Sequence, residues 1–220
     1  MKQHIDTDYV HALIAQGEHQ QQDFKFEISD VRKIARSLSA FANTEGGRLL
    51  IGVKDNGKIA GVRSEEEIYM IEAAANLYCT PQVEYTSQAY VVEGKTVLIV
   101  NIEESRKKPV YAKDEEGKPW AYVRVKDENI LATAIHLMVW KQRLEPAGEL
   151  TCYTEQEQRL LRTLAEGELL SLNECCRLTR MVRPAVLKLL ARLIRYGVVE
   201  MHFVNHHFLL GPASATSGEE

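Results

Sequence analysis

The 220-residue chain lacks much of what usually announces a function. No uninterrupted apolar stretch approaches the ~18 residues of a membrane span, which excludes a helical membrane protein. No charged-then-apolar leader opens it, so the expectation is a cytoplasmic protein with no membrane partner. Cysteine is scarce: Cys79, Cys152, Cys175 and Cys176 form no C-x-x-C pair and two are adjacent, which argues against zinc and for reduced, packed thiols. Net positive charge is missing too, with 27 Lys+Arg against 31 Asp+Glu and a balance of −4. A uniformly basic nucleic-acid binder is therefore excluded. The phosphate-loop patterns are absent as well. Gly46-Gly47 has no Gly-Lys-Ser/Thr after it, and Gly52 lies too far on for G-x-G-x-x-G. The glycine pair also follows a helical pattern and precedes an apolar run, the reverse of the strand-to-helix order of phosphate loops.

What is present is unevenly spread. Residues 1–150 carry 19 Lys+Arg and 23 Asp+Glu, whereas residues 151–211 carry 8 and 6. From Arg177 to Val199 there are six basic residues and no acidic one, so an acidic protein keeps one local basic face. A boundary is expected at 145–153, where Pro146 and Gly148 interrupt a helical pattern. This predicts one domain over 1–146, a smaller one over 151–211 and a small, polar, disordered tail over 212–220.

The larger domain mixes periodicities. Residues 5–16 read as a helix, and "DFKFEI" alternates Phe24, Phe26 and Ile28 against Asp23, Lys25 and Glu27 as a strand does. Ser29 can cap a helix whose apolar positions run Val31, Ile34, Ala35, Leu38, Phe41 and Ala42. Asn43 and Gly46-Gly47 then end that helix with positive φ angles, before the strand "RLLIGV" that contains Gly52. Asp55-Asn56-Gly57 supplies a hairpin turn into "KIAGV". A helix over 65–78, a hairpin around Glu93-Gly94, the strand "KPWAYVRV" and a closing helix over 127–143 complete the domain.

The smaller domain is more regular. Thr154 with Glu157 forms a capping-box pattern, Ser171 caps a short helix, and Pro184 sits in the first turn of a third helix that Gly197 ends. Two short strands around Asn205 follow. Three helices and a hairpin predict a winged helix-turn-helix, whose third helix enters the major groove. With Val186, Leu189, Leu190 and Leu193 buried, its outer face would present Arg183, Leu187, Lys188, Ala191, Arg192 and Arg195. The expected nucleic-acid contacts are Arg177, Arg180, Arg183, Lys188, Arg192 and Arg195, with Asn205, His206 and His207 at the wing tip. Pro184 and Leu187 stand where polar base readers are common, which weakens sequence-specific readout more than binding.

On one strand, Asp23, Lys25 and Glu27 share a face with Glu18 just upstream. Carboxylates beside a lysine can hold a divalent metal and stabilise a phosphoryl transition state, or simply form a solvated face. A resemblance bears on that choice. The run "AFANTEGGRLLIGVKDNGKIAGV", preceded by "DFKFE" and followed by "GKTVLIVNIEESRKKPVY" and "WAYVRVKDENILAT", resembles the Schlafen AlbA-type domain over most of residues 12–143.

The resemblance implies a mixed α/β domain binding nucleic acid or a ligand, often joined in bacteria to winged-helix segments and described as a transcriptional regulator or ATP-binding protein. In relatives with ribonuclease activity an acidic cluster serves as a metal site. Its members would fall here on Glu18, on Asp23 with Lys25, and on Asp55. The chain departs from the pattern with Asp23 in place of Glu, Lys54 before Asp55, and Arg124-Val125-Lys126-Asp127 in place of R-V/I-G-S.

The fold class expected is thus α+β, or mixed α/β, of the Schlafen AlbA-like kind with a C-terminal winged helix-turn-helix. The function expected is DNA binding in transcription regulation. Duplex DNA is the partner, RNA the alternative, and half-site geometry suggests a homodimer. Asn43, Gly46, Gly47 and Gly52 are structural motif residues. No cofactor is required, and Mg or Mn enters only in the alternative of a metal-dependent ribonuclease. An ATP-binding module ranks third because the loop order is wrong.

Overall fold

A computed structural model describes residues 2–143 and 154–214, with side chains from residue 7 onward. The expected linker at 145–153 lies outside the described residues, and so does most of the expected tail, 215–220. The part of that tail that is described is structured. Pro212 pairs with Val199, and Ser214 Oγ donates to Glu200 Oε1 at 2.8 Å. The chain divides into two compact units, Met1–Ala132 and Thr133–Glu220.

Unit 1 is built on a four-stranded sheet in the order β1-β2-β5-β4, formed by β1 (Gln22–Lys25), β2 (Gly47–Ile51), β4 (Tyr85–Val92) and β5 (Lys95–Ile102). β1 and β2 run parallel with Asp23 opposite Leu49, and the remaining pairs are antiparallel. Period-2 alternation gives the sheet two apolar faces. Phe24, Leu50, Val97 and Ile99 pack with Val10 and Leu13 of helix α1 (Lys2–Ala15). Leu49, Ile51, Leu98, Val100 and Ile102 pack with helix α2 (Val31–Asn43). A second antiparallel sheet, β3 (Cys79–Thr80), β6 (Tyr111–Lys113), β7 (Pro119–Val125) and β8 (Glu128–Leu131), lies in the order β3-β6-β7-β8. Helix α3 (Glu66–Ala73) continues into one π turn, Ala74–Tyr78.

Helix α2 is the centre of the unit, buried from Ile34 onward except at Arg36. Its N-cap is Asp30 and not the expected Ser29: the Asp30 carboxylate accepts from Arg32 N at 2.9 Å. At its other end Asn43 is the last helical residue and does not take a positive φ. Its buried side chain instead joins α2 to the second sheet. Asn43 Oδ1 accepts from Val110 N at 2.7 Å, and Nδ2 donates to Val110 O at 2.8 Å and Tyr122 O at 2.9 Å. Ser39 Oγ donates to Val110 O, and Thr44 Oγ1 accepts from Arg124 N at 2.9 Å. A polar side chain so deep is tolerated because every one of these bonds replaces one to water. Gly46 has φ +71°, and a Cβ there would sit 2.7 Å from Ile102 O; at Gly47 it would run into the Phe41 ring. The glycine pair is a corner that lets β2 start under α2.

Two local expectations change. "KIAGV" after the Asp55-Asn56-Gly57 turn forms only an isolated bridge, Val53 with Ile59. The segment at 127–131, expected to be helical, is strand β8, paired with β7 through a turn at Lys126, whose φ is +56°.

Unit 2 contains α4 (Ala134–Gln142), α5 (Glu155–Ala165), α6 (Leu172–Thr179), α7 (Arg183–Arg195) and an antiparallel hairpin of β9 (Val199–Val204) and β10 (His207–Pro212). Helix α4, expected to close the first domain, packs in this core. Ile135 and Val139 join Leu160, Leu164, Val186, Leu189, Leu190, Leu193, Val199 and Leu210. The reason is visible in α4 itself: Ile135, His136, Val139 and Trp140 form one buried stripe at helical spacing. Burying a large apolar side chain is worth about 1.5–3 kcal/mol, so Ile135 and Val139 together contribute at most about 3–6 kcal/mol to docking α4, before the entropy of ordering it.

Candidate functional site

The acidic group of unit 1 is assembled at the edge of the first sheet. A tight turn, with His19 N and Gln22 O 3.0 Å apart, brings Glu18 alongside β1. The buried Gln22 fixes that turn, its Nε2 donating to Leu13 O and Gly17 O at 2.7 Å each. β1 is an edge strand, and Glu18 Oε1 accepts from its outward Phe24 N–H at 2.9 Å. Asp23 points to the α2 side, and its side chain is only 4% exposed. It lies between two cations: Lys25 Nζ is 2.6 Å from Oδ2, and Arg124 Nη2 is 3.6 Å from Oδ1. Arg124 is itself buried, donating to Gln22 O and Asn129 Oδ1 and stacked over the Phe41 ring.

Burial, and next a hydrogen bond with Asp23, raise the Glu18 carboxyl above its ordinary range, while the Phe24 N–H pulls it back. Burial also lowers the His19 imidazole, with Arg48 and Arg124 adding to it.

Glu18, Asp23 and Lys25 therefore come together as the resemblance implies, and Asp55 does not join them. It is exposed, within the turn that Gly57 N closes on Lys54 O at 2.7 Å. Among the described residues no group of three His, Cys, Asp or Glu side chains is placed to hold a metal ion. Charge tells the same way. Two carboxyls face two cations, one of each pair buried, so the cluster has no excess negative charge with which to draw a divalent ion. As it stands the arrangement is suited to locking the edge strand, α2 and β7 together. Glu27 lies outside it, 2.6 Å from Arg63. The member that sequence reasoning missed is Arg124. In the alternating strand "AYVRV" it falls on the face opposite Ala121 and Val123, where a charged residue is expected to be solvated, so no local signal marked it.

In unit 2 the expected basic residues divide by partner. Arg180 is exposed and forms the corner between α6 and α7 in the left-handed conformation, φ +55°. Arg177 is exposed, 3.8 Å from Glu174. Arg183 donates to Asn173 Oδ1 at 2.8 Å, and Lys188 is exposed. Arg192 is committed elsewhere. Its Nη2 donates to Glu157 Oε1 at 2.8 Å, while Glu157 Oε2 accepts from Thr154 N to complete the cap of α5. Arg195 is half-buried. Asn205 and His206, at φ +49° and +60°, form the exposed two-residue turn of the hairpin.

The outer face of α7 is narrower than expected. Leu187 is half-buried and Ala191 fully buried, because α4 lies against that flank: Gln142 Nε2 donates to Lys188 O at 3.1 Å.

A family model described as Schlafen, AlbA_2 matches residues 18–133, slightly more than half of the chain. No curated protein matches. The similar solved structures include these two. One is the DIP2311 protein from Corynebacterium diphtheriae, 16% identical with a TM-score of 0.48, covering 94% of this chain and 38% of its own. The other is the N-terminal domain of a RecG-related protein from Nitrosomonas europaea, 26% identical with a TM-score of 0.41, covering 54% of this chain and 86% of its own. This chain thus spans well under half the length of the first of these proteins. No helix among the described residues is long and apolar enough to cross a membrane.

Proposed function

This chain belongs to the Schlafen AlbA_2 family, and we propose that it is a DNA-binding protein acting in transcription regulation, with unit 2 serving as a winged helix-turn-helix that contacts duplex DNA. The observation that supports this reading is the cationic corner between α6 and α7. Arg177, Arg180 and Arg183 gather there, with Lys188 further along α7, and among the described residues the one carboxylate paired with any of them is Glu174, 3.8 Å from Arg177. Long, exposed guanidinium groups on a helix pair are suited to phosphate oxygens, which supply most of the affinity of duplex binding.

The test is fluorescence anisotropy of the full chain on a 20-bp duplex across a salt series. Binding that weakens steeply with salt, and is lost in Arg180→Ala/Arg183→Ala, is the expected result. Binding of equal strength in that variant would remove this role from the corner.

A metal-dependent ribonuclease is the second reading, and one observation favours it: Glu18, Asp23 and Lys25 converge at an edge strand. The ion pairs of Asp23 with Lys25 and Arg124 weigh against it, and Asp55 stands apart. Cleavage of structured RNA that requires Mg or Mn and disappears in Asp23→Ala, with the variant still folded, would reverse this ranking.

A further inference from the structure

A helix that inserts broadside into the major groove must turn a flank of side chains toward the base edges. On α7 the flank through Leu187 and Ala191 is closed. Helix α4 reaches Lys188 O with Gln142 Nε2 and reaches the hairpin with His136, whose ring centroid lies 4.7 Å from that of Phe208. It therefore touches both α7 and the hairpin. Its buried stripe of Ile135, His136, Val139 and Trp140 makes it a constant part of the core of unit 2 and not a loose cover.

What remains open is the corner itself. Arg177 and Arg180 precede Val182, which is 72% exposed, and Arg183 and Pro184 follow. The side chains of Val182 and Pro184 can form no hydrogen bond with a base edge, and the guanidinium of Arg183 has Nη1 on Asn173 Oδ1, which leaves fewer donors for a two-pronged base contact but enough for a single phosphate. Arg177 and Arg180 lie outside α7, at the end of α6 and on the corner. The polar groups exposed at this corner are thus cations, which suit phosphates, and phosphate contacts carry no sequence information.

Resting on the duplex-binding reading above, we propose that unit 2 meets duplex DNA end-on, with the α6–α7 corner and not with the flank of α7. Arg177, Arg180 and Arg183 contact phosphates, and the unit binds without regard to base sequence.

The experiment uses the full chain in two measurements. The first selects bound molecules from a pool of randomised 20-bp duplexes over several rounds; no motif is enriched. The second measures anisotropy on one duplex across a salt series. Arg180→Ala lowers the steepness of log K against log salt by about 1 and does so equally on unrelated duplexes. Lys188→Ala, on the flank, weakens binding less than Arg180→Ala does, and Arg159→Ala on the exposed side of α5 changes nothing.

Enrichment of a defined motif, or a larger loss from Lys188→Ala than from Arg180→Ala, overturns end-on docking while leaving duplex binding intact. Absence of binding to any duplex overturns both.

Discussion

Acidification should loosen unit 2 through His136. The imidazole is buried within α4, with Thr133, Trp140 and Phe208 as its hydrogen-bonding and ring neighbours, none of them charged. Burial holds its pKa down to about 4, from an ordinary 6.5. Because the folded-state value is depressed, the stability it confers is complete above 6.5 and is lost as the pH falls toward 4. At 1.36 kcal/mol per pH unit the loss between pH 7 and pH 4.5 comes to about 2–3 kcal/mol. Protonation also removes an acceptor, since Nδ1 receives the Thr133 N–H at 3.1 Å and so caps α4. The chain has two tryptophans, and Trp120→Phe leaves Trp140, 5.8 Å from the imidazole, as sole reporter. Urea unfolding followed by Trp140 fluorescence at the two pH values gives the loss. Glu174 and Glu200 of the same unit are held low by their serine hydrogen bonds and also weaken the fold in acid. The comparison with His136→Gln therefore isolates the imidazole. Equal losses in the parent and in His136→Gln would refute the assignment.

Three further outcomes test unit 1. Asn43→Ala strands the buried Val110 N–H and removes two donors to carbonyls, which should cost about 2–4 kcal/mol; hydrogen exchange at β6 and β7 reads it, and protection as in the parent would contradict a stitching role. Gly46→Ala must hold a left-handed φ with its methyl 2.7 Å from a backbone carbonyl, so a loss of at least about 1–3 kcal/mol is expected in thermal melts. Glu18 has a raised folded-state pKa, so the stability linked to it is present below its ordinary value and is lost as the pH rises through the folded value. Glu18→Gln keeps an acceptor for Phe24 N–H and should flatten that dependence; an unchanged slope of melting temperature above pH 4.5 would disprove a raised Glu18 carboxyl.

Where residues interact locally, the sequence was informative. The capping box of Thr154 with Glu157 and the Ser171 cap are in place, as is the glycine corner at Gly46-Gly47; Glu174, which completes a second box with Ser171, went unread. Those signals need only three or four consecutive residues. The acidic group was legible in part for the same reason, since Glu18, Asp23 and Lys25 are close in the chain. Arg124 enters from a hundred residues away, through pairing of α2 with β7, and no local pattern places it beside Asp23. Its arrival matters chemically. A pair of carboxylates near one lysine looks like a metal site, whereas the same pair with a second, buried cation is already neutralised.

Helix α4 shows the same limit with a larger consequence. Its stripe of Ile135, His136, Val139 and Trp140 declares that something covers it, but not which surface does. Pro146 and Gly148 suggested a break after the helix, so the boundary was expected there. The contacts put the division before it, between Ala132 and Thr133. Once α4 belongs to unit 2, the wheel of α7 has to be read again. Leu187 ceases to be an odd residue on a groove face, half-buried as it is against the core, and Ala191 becomes a buried position under a fourth helix. Arg192 likewise stops being a free cation, because Glu157 needs one carboxylate oxygen for its cap and offers the other to the guanidinium. The basic face that survives both corrections is smaller than the one read from charge alone. It is concentrated at a corner, where contact with phosphates needs no groove.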